Sequence, residues 1–505
     1  MFDLMISGFA AIMNFQCLLL MTVGVAVGII FGAIPGLTGT MAVSLCLPMT
    51  FSMGPVAGFC LLLGLYIGGI SGGLISAILI KIPGTPSSIA TVFDGYPMAA
   101  RGEGGKALGI GILYSFIGTL ISIIFLIFIA PPLADVALQF GPYEYFAVGI
   151  FSITMIASLV SGSPFKGLAS GALGLCLAMV GAAPIDGATR LTFGSHQFDG
   201  GFNLLPVLIG LFAISEILST AEEGLRLDVN KNAVTKYSIK GFGVSLIEFG
   251  QQFWNMIRSA LIGVGIGILP GIGGGTSNII AYLVAKNQSK HPEKFGTGII
   301  DGVVASETSN NASIGGAMIP LLTLGIPGDT VTAILLGGLI LHGVTPGPLL
   351  FVNSAKLVYA IFAALLVANF IMLIMEFFGI RLFVKLLTIP KYILLPVIVA
   401  LCAVGAYGTN NRLFDVWMML IFGVIGFTME KFGFSLPPLI LGFILGPIVE
   451  TNLRRGLMYS QGDFLPFVTR PISVVFLLIA LITVIFAVKK NPRQSKKNKA
   501  QPSAG

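Results

Sequence analysis

The sequence predicts an all-α polytopic membrane protein of about twelve transmembrane helices, with broken or re-entrant segments, in two inverted-topology repeats. Three observations carry this expectation. Of 505 residues, 55% are hydrophobic and only 10% are charged, whereas a soluble chain carries about a quarter charged residues. Pro-Gly segments recur at matched positions in the two halves, and the loop charges beside them reverse. The same composition excludes an ordinary soluble enzyme, and the 38 Phe exclude disorder. The 66 Gly follow no Gly-X-Y period, which excludes collagen.

Apolar runs suited to helices cover residues 16–34, 55–80, 107–130, 145–160, 167–185 and 203–220 in the first half. The second half offers 258–284, 312–326, 330–341, 357–380, 392–407, 415–429, 436–449 and 471–488. Several are too short to span alone, and many are interrupted by Pro-Gly. In lipid, such breaks survive only where protein or a water-filled cavity satisfies the freed backbone groups. The segments divide the chain into a first membrane half (1–220), a hydrophilic cytoplasmic linker (221–257), a second membrane half (258–488) and a basic cytoplasmic tail (489–505). Residues Met1 to Asn14 contain no Lys or Arg, so the first apolar run is expected to be a retained span rather than a signal peptide.

Overlaying the halves exposes the repeat. Gly28, Gly32, Pro35, Gly36 and Gly39 match Gly263, Gly267, Pro270, Gly271 and Gly274, each 235 residues later (263 minus 28). Ile82-Pro83-Gly84-Thr85 matches Ile326-Pro327-Gly328-Asp329, and Gly72 matches Gly316, each 244 residues later (326 minus 82). After the first Pro-Gly motif, Pro48 to Pro55 carry no charge, whereas its partner leads to Lys286, Lys290 and Lys294. After the second motif the pattern reverses: Arg101 and Lys106 follow the first copy, and His342 to Pro348 hold no Lys or Arg. By the positive-inside bias, equivalent loops lie on opposite sides of the membrane.

The net charge of +7 has a local origin. Residues Lys489 to Gly505 hold six of the 28 basic residues and no acid, and without them the balance is 22 minus 21, or +1. This tail reads as a cytoplasmic positive-inside signal and not as a nucleic-acid arm. Cys17, Cys46, Cys60, Cys176 and Cys402 lie in apolar runs at no metal-like spacing and read as small buried hydrophobes. His196, His291 and His342 are far apart, and no metal site or other cofactor is expected beyond a coupling ion, sodium or proton.

Three polar elements interrupt the apolar pattern. The Gly-x-x-x-Gly ladders Gly24 to Gly36 and Gly263 to Gly275 suit close helix packing, but each ends in a Pro-Gly break followed by polar residues. These are Pro35, Gly36, Thr38, Gly39 and Thr40 in one copy, and Pro270, Gly271, Gly273, Gly274, Thr276, Ser277 and Asn278 in the other. A helix restarting there would offer unpaired N–H groups and its positive dipole end to an anion. The alternative is a kink alone. Ser306, Glu307, Thr308, Ser309, Asn310 and Asn311 form a second cluster, which is either a set of ligands or a short surface loop. Its first-half counterpart, Gly68 to Gly73 with Ser71, offers glycines instead, so any site would be asymmetric. The hairpin tips Gly84, Thr85, Pro86, Ser87 and Ser88, and Gly328, Asp329 and Thr330, either cap the following helices or clamp a substrate.

Other matches fail. In Arg101 to Ala107, Ala100 stands where a phosphate-binding loop needs Gly, and Ala107 where it needs Ser or Thr. Gly325 to Asp329 reads Gly-Ile-Pro-Gly-Asp and does not spell the GxGD protease motif. No Ser-His-Asp set is arranged, so an enzyme is not expected.

The motifs GAIPGLTGT around Pro35-Gly36, Ile82 to Pro86, Asp94-Gly95-Tyr96-Pro97 and Pro270 to Gly273 resemble the large membrane subunit of tripartite tricarboxylate transporters, the TctA family. The likeness runs from about residue 15 to 485. It implies a bacterial inner-membrane permease working with a small four-helix membrane subunit and a periplasmic solute-binding protein, importing carboxylates on an ion gradient. Two other readings stay open: a stand-alone ion antiporter or channel of the same architecture, and a membrane-embedded enzyme acting on a lipid-linked substrate.

Overall fold

The computed structural model describes residues 1–159, 163–223, 245–386 and 391–498, and these are almost entirely helical. In chain order the helices are α1 Phe2–Ile12, α2 Phe15–Ala33, α3 Gly39–Cys46, α4 Pro55–Ile80, α5 Ile89–Met98, α6 Gly104–Ala137, α7 Pro142–Leu159, α8 Pro164–Ala178, α9 Leu204–Leu208 and α10 Ser215–Glu223. There follow α11 Leu246–Ile268, α12 Gly273–Gln288, α13 Ile300–Leu324, α14 Thr330–Leu341, α15 Leu349–Asn353, α16 Ala355–Leu386, α17 Lys391–Asn410, α18 Leu413–Lys431, α19 Leu436–Tyr459, α20 Leu465–Thr469 and α21 Pro471–Asn498. Among the described residues, eight helical stretches are long and apolar enough to cross a membrane, and five shorter apolar helices accompany them. The protein is a multi-pass membrane protein.

The expected runs 16–34 and 258–284 both break at Pro-Gly. The first becomes α2 and α3, the second α11 and α12. The break needs a left-handed backbone, which Gly36 (φ 87°) and Gly271 (φ 70°) supply without a Cβ penalty. The segment expected as a linker is helical from Leu246 onward, because Ser245 and Glu248 form a capping box that starts α11; residues 224–244 lie outside the described residues. The polar cluster 306–311 is no surface loop: it sits inside α13 and every residue of it is fully buried. Two cysteines depart from the expected burial: Cys46 is half-buried and Cys176 is exposed on an apolar helix.

Residues 1–135 with 208–424 form one compact unit, and 136–207 with 425–505 a second. Residues 136–207 group with 425–505 because α7 packs on α19 and α21, and α8 mainly on α19. In the second unit, helices α8 and α19 meet through Gly174 and Gly442, where any Cβ would strike backbone of the facing helix. A two-stranded ribbon, β1 Gly181–Ala182 and β2 Thr189–Arg190, carries Arg190 to Glu450, which it grips through two hydrogen bonds of 2.7 and 2.5 Å. Asp186, in the ribbon loop, is held below the usual carboxylate range by the Ala188 N–H and by Arg454.

The first unit contains the matched glycine and Pro-Gly segments of both repeats, and their contacts obey the two offsets. A Cβ on Gly32 would meet the carbonyl of Gly69 in α4; one on Gly267 would meet the carbonyl of Ser313 in α13. Gly72 lies against the carbonyl of Ile29, and Gly316 against that of Val264. At the tips, Gly84 abuts the Gly32 carbonyl and Gly328 the Gly267 carbonyl. In every pair the second contact is the first displaced by 235 on one helix and 244 on the other. Glycine is needed at Gly32 and Gly267 because no side chain fits between backbones that close.

Candidate functional site

The two repeats exchange their hairpin tips, as a two-fold relation requires. Thr40, at the start of α3, lies 3.2 Å from Thr330 at the second tip, oxygen to oxygen. At the equivalent place, Gly275 at the start of α12 faces Pro86 of the first tip. Asp329 sits beside Gly273, with its Cβ 2.6 Å from where a Cβ of Gly273 would be. Four helical starts therefore converge: α3, α12, α14 and the turn Pro86–Ser88 that leads into α5. Helix starts carry a positive dipole end, a setting that favours negative charge.

The two sides of this convergence differ chemically. On the first, Asp329 is fully engaged. Its Oδ1 accepts from the Thr332 N–H and hydroxyl, each at 2.7 Å, closing a capping box on α14, and its Oδ2 accepts from the Tyr66 hydroxyl of α4. Thr38 caps α3 in the ordinary way, accepting from Met41 N–H at 3.2 Å. On the second side, the residue matching Asp329 is Thr85, bonded locally to Ser88 at 3.0 Å, and the residue matching Tyr66 is Asn310 (66 plus 244), so the cluster 306–311 corresponds to residues 62–67 and not to the expected Gly68 to Gly73. Asn310 is fully buried, yet neither its Oδ1 nor its Nδ2 has a hydrogen-bond partner among the described residues. Leaving such a group unsatisfied costs about 1–3 kcal/mol, which is a reason to look for a function.

Gly274 lies at the centre of this second side. A Cβ there would stand 2.6 Å from Asn310 Oδ1 and 3.0 Å from both Ser313 Oγ and Ser87 Oγ. Asn278, one turn into α12, donates from Nδ2 to the Ser87 carbonyl, and its Oδ1 is left without a partner. Gly274, Asn278, Ser87 and Asn310 thus form the open polar cluster.

Other residues singled out from the sequence lie elsewhere. The side chains of α13 radiate from the helix instead of converging. Ser309 and Ser277 clasp α13 to α12 by donating to each other's carbonyls at 3.1 and 3.2 Å. Ser306 donates back to Gly302 O and accepts from Thr91 of α5. Glu307 faces α5 and α6, accepting from the hydroxyls of Thr91 and Ser115, and Asn311 donates to that same Ser115 at 2.8 Å. The Thr308 hydroxyl is buried and has no hydrogen-bond partner among the described residues. Thr276 is half-buried at the break and makes no side-chain hydrogen bond among the described residues.

Asp94 has a role that sequence reasoning did not assign. Its Oδ1 accepts from the N–H groups of Gly296, Gly298 and Ile299 at 2.9, 2.8 and 3.0 Å, and its Oδ2 accepts from Tyr282 at 2.9 Å. One buried carboxylate of the first repeat thereby fastens the loop preceding α13 of the second. Beside it opens a cleft of about 620 Å³ lined by Lys81, Phe93, Tyr96, Tyr282 and Lys286, none of which belongs to the Gly274 cluster. Among the described residues, no group of three or more His, Cys, Asp or Glu is placed to hold a metal ion.

Residues 18–441 match the model of the tripartite tricarboxylate transporter TctA family. The chain is 38% identical over 477 residues to an uncharacterized 52.8 kDa protein in the TAR-I ttuC' 3' region of Agrobacterium vitis, covering 94% of each. It is 41% identical over 231 residues to an uncharacterized protein in the TAR-II ttuC' 3' region of the same organism. That match covers 46% of this chain and 96% of that protein.

Proposed function

The chain belongs to the tripartite tricarboxylate transporter TctA family, and from that premise we propose that it is the large permease subunit of a binding-protein-dependent secondary transporter. It imports tricarboxylates or related carboxylates by alternating access, moving the solute without converting it and driven by a coupling ion, sodium or proton. Its partners are a small four-helix membrane subunit and a periplasmic solute-binding protein. It resides in the bacterial inner membrane with its C-terminus in the cytoplasm; the basic tail and the loop charges support that orientation.

One observation carries the site. Asp329 is an internal carboxylate held at converging helix starts by Tyr66 and the start of α14. Across the two-fold relation the carboxylate is missing, since Thr85 replaces Asp329, and Asn310 replaces Tyr66 with its amide unpartnered. A substrate carboxylate takes that place, accepting from Asn310 Nδ2, the Ser87 hydroxyl and the N–H groups that begin α12. Alternating access follows when the tips 83–88 and 327–330 move against the broken helices of the opposite repeat.

The test is uptake of radiolabelled citrate and related carboxylates by cells expressing the chain with and without its two partners, in the presence and absence of sodium. Uptake that needs all three components supports the proposal. Ion-driven flux by the chain alone in liposomes would favour a stand-alone antiporter or channel.

A further inference from the structure

Glu376 is a second intramembrane acid that the site above does not use. It lies within the spanning stretch Ala355–Phe383 of α16 and is fully buried. Ser71 of α4 donates to its Oε2 at 2.8 Å, and its Oε1 has no partner among the described residues. Among the described residues no basic group answers it. Helices α2 and α4, which pack on α16, carry no charged residue, only the neutral Cys17, Cys60 and Tyr66; α1 brings only the exposed Asp3. On its own helix, Lys356, Arg381 and Lys385 are exposed. Lys106 of α6 is engaged with Glu248. The titratable group that acts on it is Glu307 of α13, another buried acid, which accepts from the Thr91 and Ser115 hydroxyls and from the Asn311 amide.

An ionised carboxylate in such a place is costly, so Glu376 must be neutralised by a proton or a metal cation. A cation such as sodium is usually held by carbonyls of unwound helix, and here both α4 and α16 run unbroken through Ser71 and Glu376. The acid is also specific to one repeat: Ser71 matches Gly315 (71 plus 244), which faces Ser122 where Ser71 faces Glu376. We propose that Glu376, positioned by Ser71, is a proton-binding site and carries the coupling proton of transport. This deepens the transport reading and rests on it. During the cycle, Glu376 takes a proton from one side of the membrane and releases it to the other, where the carboxyl O–H bond breaks to leave a carboxylate and a hydrated proton.

Two readouts test it. Infrared spectra of the full chain in phospholipid membranes at neutral pH should contain a protonated-carboxyl band, part of which is lost in Glu376→Gln. Identical spectra overturn the proposal. If the Gln variant does not reach the membrane, the wild type decides: the band fades as pH rises, and absence of any such band at neutral pH contradicts the assignment. In vesicles from cells carrying the whole system, with radiolabelled citrate as probe, Glu376→Gln should lose accumulation driven by an imposed pH gradient, its accumulation ratio falling to unity. Glu376→Asp should restore part of it. Undiminished accumulation by Glu376→Gln, or accumulation by the wild type on a sodium gradient alone, overturns proton coupling at this residue. No citrate uptake by the wild type would instead count against the transport reading, and the infrared band would still decide the protonation of Glu376.

Discussion

The Tyr66 hydroxyl donates to the Asp329 carboxylate, joining α4 of one repeat to the hairpin tip of the other, and the two-fold relation places Asn310 where Tyr66 stands. One side of the convergence is closed by the protein's own carboxylate, and the other presents the side chains of Asn310, Asn278 and Ser87.

Removing the internal carboxylate should harm folding before it harms transport. Asp329→Ala deletes the cap of α14, worth about 1 kcal/mol, and leaves the buried Tyr66 hydroxyl unpaired at a further cost of about 1–3 kcal/mol. Tyr66→Phe keeps the cap and should cost about 1 kcal/mol. Thermal unfolding of the detergent-solubilised protein should rank wild type above Tyr66→Phe above Asp329→Ala. The reverse order of the two variants would remove the closed-side description.

Asn310→Ala should behave in the opposite way. Its amide has no partner to lose, so the variant should match or exceed wild-type stability while uptake weakens. Asn278→Ala gives up its bond to the Ser87 carbonyl and should lose about 1 kcal/mol along with uptake. Both should reach the membrane at wild-type levels on immunoblots. A fall in melting temperature for Asn310→Ala would mean that its amide is already paired.

Gly274 and Gly32 separate occlusion from packing. The Cβ of Gly274→Ala meets the ends of three side chains, Asn310, Ser313 and Ser87, which can turn aside into the space a substrate would fill. The variant should fold and fail to transport. The Cβ of Gly32→Ala meets backbone carbonyl instead, so membrane abundance itself should drop. Comparing protein level with uptake for the pair checks this; equal abundance of both would contradict the packing geometry.

Asp94→Ala strands three N–H groups and the Tyr282 hydroxyl. Hydrogen bonds to a charged group contribute about 1.5–3 kcal/mol. Hydrogen–deuterium exchange across residues 295–300 should accelerate, whereas Asp94→Asn, which keeps an acceptor oxygen, should change it less. Unaltered exchange in Asp94→Ala would show that the loop before α13 is held by other means.

Much of this architecture was legible in the sequence because glycine and proline mark backbone events directly. Pro35-Gly36 and Pro270-Gly271 announced the helix breaks, and the offsets 235 and 244 reappear as contact pairs. Asp94 was not legible: its partners are backbone N–H groups some 200 residues away, identical in kind to every other N–H. Nor was the spread of residues 306–311, since six adjacent polar residues on a helix point in all directions, and only the neighbours decide that Asn310 faces the tip while Ser309 serves packing. The grouping of 136–207 with 425–505 leaves no trace in composition, because α8 and α19 meet through glycines no different from the others.

The most direct measurement is the kinetics of radiolabelled citrate uptake in cells carrying the complete system with wild-type or Asn310→Ala permease at equal membrane abundance. The account predicts that the variant loses uptake while remaining as stable as the wild type. Unchanged uptake kinetics in Asn310→Ala would contradict the placement of the substrate carboxylate between α12, α13 and the first hairpin tip.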